Sequence, residues 1–147
     1  MDCFENINKK NTCNTYYYPA QLRGYIYSIP INASVDTGSS LSFISEEMFQ
    51  IVSRVTSNIV VSPCEKLSSA ADNTTLQTIK TVYVELCLDG HVFTHSFYVT
   101  RGLIIPMVLG VDFLLKNRAV LDFESNIISF EEHNLQICFQ YNITNLI

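Results

Sequence analysis

Three observations in the sequence predict an all-β domain carrying one short helix. Apolar residues recur at every second position over Ile29–Val35 and again on both arms of the stretch 78–99, the period of strands with one buried face. Asp89-Gly90 joins those two arms, and this dipeptide accepts the positive φ angles of a two-residue hairpin turn. The helical signals, by contrast, are brief. With 147 residues the chain has room for one domain with a substantial core and not for two of usual size.

Taken in order, residues 1–20 are rich in Asn, Thr, Lys and Tyr without apolar period and read as a flexible or loosely docked N-terminal extension. Within them, Tyr16-Tyr17-Tyr18-Pro19 marks either an aromatic surface strand or a processing boundary. A hairpin is expected over 22–35, with Gly24 to Tyr27 outgoing, a turn near Ser28 and Ile29–Val35 returning. Leu41, Phe43 and Ile44 supply the next strand. Ser45 then caps a helical turn with Glu46 and Glu47 at its positive end. A strand at Ile59-Val60-Val61 ends at Ser62-Pro63, and the Ser-, Ala-, Asn- and Thr-rich stretch 67–76 suits a mobile hairpin tip.

Val82, Val84, Leu86 and Leu88 form one face of the outgoing arm of the central hairpin, with Ile79 out of phase. On the return arm Phe93, His95, Phe97 and Val99 oppose Val92, Thr94, Ser96 and Tyr98. Met107-Val108-Leu109-Gly110 has no polar residue and is expected to be buried on both faces. Asp112 is placed to cap a short helix over 113–117. Strands over 120–123 and Ile127–Phe130 flank a turn at Ser125-Asn126. Beyond them Leu135, Ile137, Phe139, Tyr141 and Ile143 alternate with polar residues, a strand whose simplest partner is Ile127–Phe130. The implied division is an extension over 1–20, a domain over 21–130 and a C-terminal strand or tail over 131–147.

One segment carries chemistry. Val35-Asp36-Thr37-Gly38-Ser39-Ser40 places a carboxylate where a buried strand ends. Gly38 reads as the flexible point of a tight turn whose amides point at the acid. With its apolar lead-in, Asp36-Thr37-Gly38-Ser39-Ser40 resembles the active-site loop of aspartic proteases. Met107-Val108-Leu109-Gly110-Val111-Asp112-Phe113-Leu114 resembles the apolar-apolar-Gly-x-Asp-Phe-Leu segment of the retroviral-type members, and Ala119-Val120-Leu121-Asp122-Phe123 the strand that follows it. Ser69 to Leu76 sits where that family carries its flap. The resemblance spans roughly 24 to 130 and is most like the proteases of gypsy-type long-terminal-repeat retrotransposons.

The resemblance implies a retropepsin-like closed barrel or β-sandwich. Such enzymes need two active-site loops, and this chain has one Asp-Thr-Gly, so it implies a homodimer in which each subunit lends a catalytic Asp36. Thr37, Gly38 and Ser39 support the loop. Ala71, Asp72, Asn73 and Thr74 form the flap, where Asn73 stands in for the family's usual glycine. Val108 and Leu109 line the substrate groove with Ile104 or Ile105. The Ser39 hydroxyl is expected to donate to Asp36, lowering the working pH, so that Ser39→Ala moves the pH profile upward. Asp112 is assigned to structure and not to catalysis, and the C-terminal strand has the dimer interface as an alternative partner. The implied activity is an aspartic endopeptidase acting on peptide or polyprotein substrates without cofactor or metal. Two alternatives stand beside it: a domesticated cellular protease with a host substrate, and a non-catalytic dimeric module of the same fold.

Composition narrows the partners. Nine Lys and Arg stand against fourteen Asp and Glu, for a net charge of -5, and the basic residues are scattered; nucleic-acid binding would need a clustered positive footprint. The first residues lack the apolar core of a signal peptide, and no run reaches the length of a membrane span. Five cysteines at irregular spacing read as free thiols in a reducing compartment, which places the protein in the cytoplasm or within retroelement particles. His91, His95 and His133 lack ligand spacing, and no metal is expected.

Overall fold

The longest elements are the two arms joined at Asp89-Gly90, whose φ angles of 48° and 79° are those of the expected hairpin turn. The computed structural model describes residues 15–17, 20–57, 59–63, 68–69, 75–140 and 143–145. Its strands are β1 (Thr15–Tyr17), β2 (Gln21–Ile26), β3 (Ile29–Val35), β4 (Phe43–Ser45), β5 (Val60–Pro63), β6 (Ser68–Ser69) and β7 (Thr75–Leu88). They continue with β8 (His91–Arg101), β9 (Met107–Leu109), β10 (Ala119–Asp122), β11 (Ile127–Phe130), β12 (Leu135–Cys138) and β13 (Ile143–Asn145). Helix α1 spans Glu46–Val55, helix α2 spans Val111–Lys116, and a single 3-10 turn covers Glu131–His133.

Six strands close into a barrel in the order β2, β3, β9, β4, β8, β7, with β7 returning to β2 through Gly24↔Leu88 and Tyr25↔Cys87. Closure removes the two free edges that an open sheet would leave. The alternating residues fill it: Val82, Val84, Leu86 and Leu88 from β7 and Phe93, Phe97 and Val99 from β8 are all buried. A register irregularity between Thr78 and Lys80 accounts for the misplaced Ile79: the extra residue shifts the phase, burying Thr78 and leaving Ile79 half-exposed. Phe93, Phe113 and Phe130 pack as a cluster, the edge of one ring meeting the face of the next at 4.9 Å for Phe93–Phe130 and 6.0 Å for Phe113–Phe130.

Ser45 caps α1 as expected, its hydroxyl accepting from the Met48 amide at 3.1 Å, but the turn continues into a ten-residue helix. Two hydrogen bonds from Arg101 to Glu46, at 3.2 and 3.1 Å, tie α1 to the end of β8 and hold the Glu46 carboxyl below the usual carboxylate range. Strand β10 ends at Asp122 because that carboxylate accepts from the Glu124 and Ser125 amides and the Ser125 hydroxyl, which turns the chain and puts Phe123 in the turn. The Ser125 bonds also lower the Asp122 pKa.

The alternating C-terminal segment pairs with β11, Ile128 opposite Ile137 and Phe130 opposite Leu135, to make the three-stranded sheet β10-β11-β12. Leu135 and Phe139 enter the core, and Gln140 exchanges backbone hydrogen bonds with Gln21 at 2.8 and 3.1 Å. Strands β1 and β13 form a separate antiparallel pair, Tyr16 opposite Thr144. Strand β6 pairs with the start of β7, Ser69 opposite Thr75, while the proposed flap residues Ala71, Asp72, Asn73 and Thr74 lie outside the described residues. Among the described residues no helix is long and apolar enough to cross a membrane.

Candidate active site

Asp36 is positioned by a crossing of the chain. β9 lies between β3 and β4, parallel to β3 with Val35 opposite Leu109 and antiparallel to β4 with Phe43 opposite Val108. Strands β3 and β4 are consecutive in sequence. The segment 36–42 must therefore pass over the end of β9, and Asp36 is its first residue. The Asp36 amide donates to the Leu109 carbonyl at 3.0 Å, extending the β3–β9 pairing by one residue. Its carboxylate Oδ1 accepts from the Gly38 amide at 2.9 Å, and its carbonyl accepts from the Ser39 amide at 3.2 Å. Asp36 is half-buried, while Thr37 and Gly38 are exposed.

Gly38 has the role of bringing an amide to the acid, but not by the expected means. Its φ does not lie in the left-handed region. A Cβ there would stand 3.2 Å from Asp36 Oδ1, so the carboxylate would have to give by a few tenths of an ångström. The constraint at Gly110 is more severe: a Cβ there would lie 2.1 Å from the Leu41 carbonyl oxygen and 2.8 Å from that of Ser39. Only a residue without a side chain lets the crossing loop lie against the start of α2.

That contact also explains how α2 begins. Gly110 occupies the N-cap position and offers no side chain to cap with; the helix amides of Val111 and Asp112 instead donate to the Ser39 and Ser40 carbonyls at 2.7 and 3.1 Å. The expectation that Asp112 caps a helix over 113–117 is corrected, because Asp112 lies inside α2. Its Oδ1 accepts from the Ser42 hydroxyl at 2.6 Å and the Phe113 amide at 2.7 Å, and its Oδ2 faces His95 Nε2 at 3.1 Å. Ser42 Oγ in turn accepts from the Gly110 amide at 2.8 Å.

One further expectation is corrected. The Ser39 hydroxyl donates to the Leu41 carbonyl at 2.7 Å and not to Asp36, so the basis for a Ser39-dependent pH profile is gone. Val108 and Leu109, expected to line the substrate groove, both lie in β9. As residues of a central strand flanked by β3 and β4, they are 4% and 0% exposed. Ile105 is half-buried and Ile104, at 98%, is the most exposed large apolar residue among those described. A cleft of about 510 Å³ lined by Arg23, Tyr25, Asn32, Ile137 and Cys138 does not include Asp36.

Ser42, Gly110 and His95 were not singled out by sequence reasoning as parts of this site. His95 did carry a signal, standing between Phe93 and Phe97 on the apolar face of β8; such a group needs a partner when buried. Among the described residues no group of three or more His, Cys, Asp or Glu is arranged to hold a metal ion.

Residues 18–136 match the family model described as retroviral aspartyl protease. Among solved structures the chain is similar to the retroviral protease-like domain of Ddi1 from Leishmania major, with a TM-score of 0.67 and 16% identity over 84% of this chain and 94% of that one. It is also similar to the EIAV protease complexed with the inhibitor HBY-793, with a TM-score of 0.54 and 17% identity over 72% of this chain and 93% of that one. At these identities the likeness is one of fold. No curated protein matches the chain in sequence.

Proposed function

This chain belongs to the retroviral aspartyl protease family, and from that premise we propose that it is an aspartic endopeptidase active as a homodimer, each subunit contributing its Asp36 to one dyad. The observation that carries the proposal is Asp36 itself, a half-buried carboxylate held by the Gly38 amide at the tip of a buried strand, beside an exposed Thr37-Gly38 turn. Across a two-fold axis that turn meets its own copy. Two carboxylates brought close cannot both ionise, so the pair shares one proton and its pKa values separate. The ionised partner takes a proton from water as that water attacks the scissile carbonyl, and the protonated partner donates to the carbonyl oxygen. The titration belongs to the pair.

The paired ends of the chain support the dimer. Strands β1 and β13 have no other partner among the described residues, and each outer edge offers backbone groups to a second copy. In this reading the exposed Ile104 faces an extended peptide in the groove between subunits. The substrate favoured is the polyprotein of a gypsy-type retroelement, processed in the cytoplasm or within the element's particles.

A second reading keeps the chemistry and changes the substrate: a cellular protease acting on a host protein. It is supported by the similarity to the Ddi1 domain, which extends over more of this chain than the similarity to the EIAV enzyme. Incubating the full chain with polyprotein-derived peptides at mildly acid pH, beside Asp36→Asn and with pepstatin, tests the shared claim. Asp36→Asn should fold and lose about 10²- to 10⁴-fold or more in kcat. Equal cleavage by a folded Asp36→Asn protein would overturn the role of Asp36, and a folded wild type that cleaves nothing would favour the non-catalytic module.

A further inference from the structure

We propose that His95 and Asp112 are positioning residues for Asp36, acting through Ser42. The kinetic part of this inference rests on the protease reading above; the structural part does not. His95 is 8% exposed, and its ring stands edge-on to Phe97 and Phe113, each at 5.3 Å. Those two phenyl rings fix the plane of the imidazole and aim Nε2 at Asp112. A buried imidazole among phenyl rings is a costly way to fill space unless its N–H is bonded. The carboxylate has no proton to give, so His95 donates from Nε2.

Asp112 thus receives three donors, from β8, from α2 and from the crossing loop: His95 Nε2–H, the Phe113 amide and the Ser42 hydroxyl. Ser42 is fully buried, and its hydroxyl both donates to Asp112 and accepts from the Gly110 amide. A hydroxyl with both roles taken has one orientation. Its carbonyl is held as well, accepting from the Tyr98 amide at 3.1 Å. The crossing loop is consequently pinned at its far end by Ser42, in its middle by the Ser39 and Ser40 carbonyls on α2, and at its near end by the Asp36 amide on Leu109.

Removing His95 leaves Asp112 Oδ2 short of a donor and frees the carboxylate to turn away from Ser42. The loop then loses its far anchor. A dyad must hold its two acids within a fraction of an ångström of the working arrangement, and a misplacement of about 1 Å can cost about 10²-fold in rate. A residue that never touches substrate can therefore govern kcat.

The test compares full-length wild type with His95→Phe, which keeps the bulk and removes the donor, His95→Gln, which keeps a donor, and Ser42→Ala. Thermal unfolding verifies that each is folded, pepstatin titration counts competent sites, and hydrogen exchange is followed over 36–42. The expected result is a kcat per titrated site lowered by about 10- to 100-fold in His95→Phe and Ser42→Ala, with KM little changed, substantial recovery in His95→Gln, and faster exchange over 36–42 in the first two. A folded His95→Phe with wild-type kcat per site, or with unchanged exchange over 36–42, overturns the proposal. Should His95→Phe fail to fold, Ser42→Ala decides by the same criteria. If wild type shows no cleavage that Asp36→Asn abolishes, the protease reading fails by itself and the exchange measurement alone judges the loop anchoring.

Discussion

At the scale of the residue, two glycines separate two kinds of constraint. Adding a Cβ at Gly110 drives it into the backbone of Leu41, at 2.1 Å from the carbonyl oxygen, and backbone cannot step aside as a long side chain can. Gly90 has φ +79° and nothing within 4 Å, so an added methyl there meets strain alone. Gly110→Ala should cost at least the 1–3 kcal/mol or so typical of overpacking, and Gly90→Ala about 1 kcal/mol. Denaturant unfolding of the two variants measures the difference, and a Gly90→Ala variant as damaged as Gly110→Ala would refute the ranking. Gly90 was legible in the sequence because its reason is local: the turn between two alternating strands. Gly110 could be recognised as part of a motif but its reason could not, since the atom it must avoid belongs to Leu41 in the crossing loop. The same holds for Ser39, whose hydroxyl was assigned to the nearest acid and instead serves a carbonyl two residues on.

At the scale of the element, period and turn chemistry specified the long hairpin β7–β8, the hairpin β2–β3 and the partner of β12. They failed where an element's end is fixed by another part of the molecule. α2 begins at Val111 because loop carbonyls accept its first amides, a contact that no local pattern encodes. α1 keeps its Ser45 cap and gains a second anchor in Arg101. Arg101 lowers the Glu46 pKa in the folded protein. The stabilisation is therefore complete above the carboxylate's unfolded value and is lost as pH falls through the lower folded value. Glu46→Gln should lower the denaturant midpoint modestly near neutral pH, because the pair is partly exposed and screened by salt. The gap between wild type and variant should close below the ordinary carboxylate range. A gap that persists unchanged at low pH would mean that the ion pair is not its source.

At the scale of the whole molecule, the barrel closes through pairings between strands distant in sequence, β3 with β9 and β2 with β7. Composition and periodicity could announce strands but not the insertion of β9 between two consecutive ones, and it is that insertion which carries Asp36 across. The same architecture makes the protease reading quantitative. On that reading a chain with one Asp-Thr-Gly needs a second copy to complete the dyad, so activity should follow the concentration of dimers. Dilution should therefore lower specific activity, and inactive Asp36→Asn subunits should poison active ones. Under conditions where subunits exchange freely, adding an equal amount of Asp36→Asn to a fixed amount of wild type should reduce cleavage to about half, because random pairing leaves about a quarter of all dimers with two intact acids. Larger excesses should reduce it further in proportion to the wild-type fraction. Titrating the variant into a peptide-cleavage assay reads this directly. Activity that is indifferent to both dilution and added Asp36→Asn would mean that each chain works by itself, and the shared dyad would be refuted even if Asp36 remained essential.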